Sequence, residues 1–118
     1  MENIANTDCT IDANNNASVS ITSPASTKSK ANGKGVYRGT INVLVAGAFT
    51  STCTQTATPF PSTISPTAIK TKADGQAVIR EGDSGSATVA GVLSGGGTCS
   101  ITVNFSIDDA GQDKAKGQ

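Results

Sequence analysis

Apolar residues along this chain fall in short Val/Ile clusters set between runs of Ser, Thr, Gly and Asn. Such a pattern suits short strands and many turns rather than helices. Two stretches alternate most clearly, "STKSKANGKGVYR" at 26–38 and "AIKTKADGQAVIR" at 68–80. Each carries an Asx-Gly pair at its centre, Asn32-Gly33 and Asp74-Gly75. That pair favours a type I′ turn, in which both central residues need positive φ, so each stretch is predicted to be a tight β-hairpin. On the incoming strand of the second hairpin the alternation predicts one face carrying Ile69, Thr71 and Ala73, with Lys70 and Lys72 on the other. The clusters at 43–49 (VLVAGAF) and 88–93 (TVAGVL) are the expected apolar strands.

The two hairpins belong to an internal repeat. Residues 23–39 align with 65–81 at a constant offset of 42, pairing Lys28 with Lys70, Lys30 with Lys72, Gly33 with Gly75, Val36 with Val78 and Arg38 with Arg80. A match of this length points to a duplicated structural unit. Similarity continues from 46–54 to 90–100, and each unit ends in Thr-Cys, at Cys53 and Cys99. Cys9 precedes the first hairpin as Cys53 precedes the second. The expected organisation is a single domain over 1–118, with repeat units at about 9–52 and 53–98, a partial third unit at 99–107 and a polar tail at 108–118.

Composition narrows the function. The chain has 118 residues, no Trp, one Tyr and three Phe, so a bulky aromatic core is excluded. Nine basic residues balance nine acidic ones, which argues against a nucleic-acid binder. The basic clusters at 28–38 and 70–80 read as solvated strand faces. The opening residues lack the charged-then-apolar order of a signal peptide. No apolar run reaches the ~18 residues of a membrane span. Folding in a cytosol is expected, and three cysteines fit that better than a disulfide framework.

The segment "REGDSGSATVAG" at 80–91 resembles the loop that carries the nucleophile of a trypsin-like protease. Such a serine needs a base, ordinarily His held by a carboxylate, and the chain contains no His. Opposite it in the repeat lies "RGTINVLVAG". Gly82-Asp83 is therefore expected to shape a turn leaving a hairpin, with Ser84 a bystander and the protein no enzyme.

Three cysteines at one phase of a repeat converge if the units pack around a common axis. Thiolates gathered there make a soft site for one metal ion, Zn²⁺ or iron, held by Cys9, Cys53 and Cys99. Small buried thiols and a disulfide remain as alternatives.

Residues 53–85, with Lys70, Lys72, Gly75, Val78, Gly82 and Asp83 in the spacing K-x-K-x-x-G-x-x-V-x-x-x-G-D, resemble PAAR and PAAR-like proteins. These are the tips of phage tail spikes and of contractile injection systems such as type VI secretion. The first copy keeps Lys28, Lys30, Gly33 and Val36, with Thr40 in place of an Asp. The resemblance covers most of 9–107. It implies an all-β, cone-shaped domain of hairpins with an internal pseudo-threefold repeat, seated one copy per trimer on a trimeric β-helix spike. It also implies a metal near the apex, assembly in the bacterial cytoplasm, delivery across a target envelope, and no nucleic-acid or membrane partner. A small β-rich adhesion or decoration module without metal is the rival expectation.

Overall fold

A computed structural model describes residues 2–56, 59–112 and 116–117, and these form strands and turns with no helix. The strands, in chain order, are β1 (Glu2–Asn3), β2 (Thr10–Ala13), β3 (Ser18–Ile21), β4 (Lys30–Ala31), β5 (Lys34–Gly35), β6 (Ile41–Ala46) and β7 (Cys53–Gln55). They continue as β8 (Phe60–Ile64), β9 (Lys72–Ala73), β10 (Gln76–Ala77), β11 (Ser84–Leu93), β12 (Thr98–Asp109) and β13 (Lys116–Gly117). The molecule is all-β, as the alternating pattern predicts, and elongated, 50 × 22 × 21 Å.

The long part of the molecule is two antiparallel sheets facing each other across one core. One has strand order β2-β12-β11-β7, the other β3-β6-β8. The sheets are joined at both edges by the chain itself. At one edge β2 passes into β3 through a turn whose Asn15 and Asn16 hold φ of 53° and 61°. At the other, the segment holding β7 and β8 switches from β11 to β6. Side chains alternate inward along each strand: Ile41, Val43 and Val45 from β6, Ala87 and Val89 from β11, and Ile101, Val103, Phe105 and Ile107 from β12. Only one aromatic ring, Phe105, is fully in this core. A body this narrow accommodates β-branched residues better than rings.

The Gly-Asp-Ser-Gly segment has a structural explanation at each position. Gly82 takes φ +92°. Asp83 is buried, its carboxylate accepting the backbone N–H of Arg80 at 2.8 Å and the hydroxyl of Thr67. Ser84 opens β11, opposite Ser106. A Cβ at Gly85 would stand 2.2 Å from the Thr63 carbonyl oxygen and 2.7 Å from the Phe105 ring, so only glycine allows β8 to approach β11 this closely.

Both predicted hairpins form. β4 pairs with β5 and β9 with β10 in identical register, and φ is 53° and 80° at Asn32-Gly33 and 53° and 79° at Asp74-Gly75. The expected face of the second hairpin is shorter than its sequence suggests. Ala73 is buried, but Ile69 is 80 % exposed, because β9 begins only at Lys72 and the alternation has no strand to follow before it. The stretch 108–118, expected as a polar tail, begins instead with the end of β12, then buries Ala110 and Gln112. It finishes with Lys116–Gly117 paired to Glu2–Asn3.

Candidate functional site: the end with three strand pairs

The β1–β13 pair repeats the register of the two hairpins. Asn3 faces Lys116 and Glu2 faces Gly117, as Gly35 faces Lys30 and Lys34 faces Ala31. Residues leading out of the three pairs, 4–6, 36–38 and 78–80, then meet in a closed ring. The Ala5 N–H donates to the Ile79 carbonyl at 2.8 Å, Ile79 N–H to Tyr37 at 2.9 Å, and Tyr37 N–H to Ala5 at 3.1 Å. Isolated bridges go round the same way: Ile4 with Arg80, Arg38 with Val78, and Asn6 with Val36. Tyr37 and Ile79 are separated by the repeat offset of 42. Ala5 belongs to no repeat copy found in the sequence.

Below the ring, Ile4, Val36 and Val78 form a second small core with Ala31, Ala68 and Ala73. Polar contacts tie neighbouring members together. Asn6 Nδ2 donates to the Ala31 carbonyl at 3.0 Å. Arg38 Nε donates to Asp74 Oδ2 at 3.0 Å, and its Nη1 to the Pro24 carbonyl at 2.7 Å. The Asp74 carboxyl is held below its ordinary value, first by a hydrogen bond from Ser26 and then by Arg38. Gln112 Nε2 donates to the Ile4 carbonyl at 2.7 Å. Each contact joins segments far apart in sequence, so the end is fixed by tertiary rather than local geometry.

The cysteines are placed differently from the expectation. Cys53 and Cys99 form a disulfide, with Cα atoms 6.2 Å apart, at the end of the body remote from the hairpins. The bridge passes beside Gly91, where an added Cβ would lie 3.0 Å from Cys53 Sγ. Cys9 is a free, partly buried thiol beside the start of β2. Because β2 pairs with the Asp109 end of β12 and Cys99 lies at the other end, roughly 30 Å separates Cys9 from the disulfide at ~3.3 Å per residue. The three-thiol centre expected for zinc or iron at Cys9, Cys53 and Cys99 is therefore not assembled. The even spacing of the cysteines counts residues, whereas their height depends on strand length. Cys9 starts an outgoing strand, while Cys53 and Cys99 start returning ones. Among the described residues, no three His, Cys, Asp or Glu side chains gather to hold an ion.

Burial raises the Cys9 thiol to about 11, against a partial lowering by a backbone hydrogen bond and with help from the nearby Asp109 and Asp8 carboxylates. A thiol shifted in this direction is a poor nucleophile at neutral pH. Sequence reasoning missed the third member of the ring. The only signal for it was weak: Lys114 and Lys116 repeat the spacing of Lys28 and Lys30. Lys114 lies outside the described residues. Comparison with protein-family models, curated proteins and solved structures found no match to this chain.

Proposed function

We propose that the chain is a non-enzymatic structural tip. It caps the end of a trimeric β-helical spike, of a phage tail or a bacterial injection system, at one copy per trimer. The observation that carries this reading is the ring of backbone hydrogen bonds through Ala5, Tyr37 and Ile79. On this reading the three segments that meet in the ring serve as the pseudo-threefold end by which a single chain matches a three-stranded partner. The narrow, elongated body adds to it, as do the local structural roles found for Gly82, Asp83 and Gly85. In this tip the Cys53–Cys99 disulfide staples the far end. On this reading the protein is built in a bacterial cytoplasm and carried on a particle that meets an oxidising exterior, where a disulfide persists.

The reading is tested by mixing the purified chain with β-helical spike trimers and weighing the complexes by native mass spectrometry. One chain per trimer is the expected result. A chain that binds no such trimer, or binds three copies per trimer at independent sites, overturns it. The exposed Phe49, Val92 and Leu93 near the disulfide favour a second reading, a decoration module that adheres through this apolar end. In that case binding to a surface survives without any spike.

A further inference from the structure

The charges of this chain are sharply partitioned. All nine Lys and Arg fall within 28–38, 70–80 and 114–116, while residues 13–27, 39–69 and 84–107 contain no charged residue of either sign. The first two stretches belong to the two hairpins, and Lys116 of the third lies in the β1–β13 pair. With Asp74 counted, the stretches 28–38 and 70–80 alone carry an excess of six positive charges, to which Lys116 adds. The compensating acids, such as Asp8, Glu81, Asp108 and Asp109, sit where the hairpins join the body. A net charge of zero thus conceals a basic end and a shaft whose charges, Asp12, Asp108 and Asp109, are all acidic and lie on β2 and the end of β12.

The lysines are also arranged. Lys30, Lys72 and Lys116 occupy the same rung of their respective pairs, opposite Gly35, Ala77 and Asn3. All three are exposed, as are Lys28, Lys34 and Lys70. Solvation alone does not require the cations of the described residues to avoid a shaft that forms most of the molecule. Cations set at matched positions around one ring fit carboxylates repeated by threefold symmetry. A nucleic-acid backbone instead presents a linear track of phosphates. Beside them Ile69, 80 % exposed, offers an apolar contact on the same end.

We propose that the end holding the two hairpins and the β1–β13 pair is the docking face, and that its partner is a trimeric protein whose contacting end is acidic, each subunit presenting a carboxylate to one of Lys30, Lys72 and Lys116. This rests on the tip reading and deepens it, for it assigns the end that docks and the chemistry of the surface it meets. Opposed charges of this kind steer encounter and fix rotational register, and their contribution fades as salt screens them.

The test uses the full chain and two variants, Lys30→Gln/Lys72→Gln/Lys116→Gln and Lys30→Glu/Lys72→Glu/Lys116→Glu, checked for an unchanged melting temperature. The probes are β-helical spike trimers with acidic ends, the same trimers with those carboxylates changed to amides, and a 20-base-pair DNA duplex. The expected result is binding to the acidic trimers that weakens with salt. Charge reversal should lower it by at least ~30-fold, taking three exposed ion pairs lost, and the amidated trimers should be bound with similarly reduced affinity. Amine-reactive labelling of the unmutated chain should drop at the three lysines in the complex, a readout that needs no variant to fold. Trimer binding that both variants retain, with undiminished labelling, overturns the docking face while the tip reading stands. Failure to bind any trimer overturns both. DNA binding that charge reversal removes, without trimer binding, assigns the face to a polyanion and overturns the partner.

Discussion

Removing the Cys53–Cys99 disulfide should cost the fold about 4 kcal/mol. The bridge closes a loop of 46 residues, and cross-linking a loop of that length lowers the entropy of the unfolded chain by about 13 cal/mol/K, or about 4 kcal/mol at 25 °C. The chain between the two cysteines includes β8, the second hairpin and β11, so the cross-link spans both the shaft and the basic end. A domain of this size has roughly 5–15 kcal/mol of stability in all, and the loss should lower its melting temperature by roughly 10–20 °C. The experiment compares guanidinium unfolding of the parent chain, the parent in reductant, and Cys53→Ala/Cys99→Ala. A thiol count in denaturant fixes the starting state: one reactive thiol before reduction, Cys9, and three after it. Reduced parent and double variant should unfold at similar, lower midpoints. Three free thiols in the unreduced chain, or a double variant within 1 kcal/mol of an oxidised parent, would refute the reasoning.

Three further outcomes follow from packing and titration. Ile79→Ala removes a fully buried side chain next to the hydrogen-bonded ring and should cost about 2–5 kcal/mol by chemical denaturation, whereas Ser84→Ala should be within about 0.5 kcal/mol of the parent. Gly85→Ala drives a methyl group against the Thr63 carbonyl and the Phe105 ring; a loss of about 1–3 kcal/mol is expected, and a melting temperature equal to the parent's would contradict the close approach of β8 and β11. Cys9 titrates from about 11 rather than 9.0 because burial disfavours its thiolate, so its contribution to stability is complete below pH 9 and is lost as pH rises toward 11. Tyr37, also raised by burial, adds to the same alkaline loss. Unfolding midpoints measured from pH 8 to 11 should therefore fall, and fall less in Cys9→Ala.

The two hairpins were legible because their chemistry is local. Asn-Gly and Asp-Gly specify positive φ at adjacent positions, and a duplicated stretch with the same turn at its centre leaves little choice of structure. The strands β6 and β11 were legible as the apolar clusters at 43–49 and 88–93, since a short apolar run needs only neighbouring residues. The third pair was not, because its strands lie at opposite ends of the described chain and no Asx-Gly turn joins them. Ile4 and Val36 share an environment but no flanking pattern. The cysteines misled through arithmetic: nearly even spacing suggested one height along an axis, but β2 and β3 have 4 residues each against 10 and 12 in β11 and β12. Equal counts therefore end at unequal heights. Ile69 shows the limit from another side, for an apolar residue in register with a strand is buried only where the strand exists.

The pairing of Glu2–Asn3 with Lys116–Gly117 bears on how the molecule comes into being. Two members of the ring at Ala5, Tyr37 and Ile79 can form from hairpins made early, but the third stays incomplete until the chain has been followed more than a hundred residues further. Contacts of that sequence separation are slow to form, because the intervening chain must first be brought to order. The shaft, whose longest ladder joins the adjacent strands β11 and β12, can be in place before then. On the contact-order argument the basic end should be the last part to acquire its shape, so that on the proposed docking role a half-made chain would lack the face its partner meets.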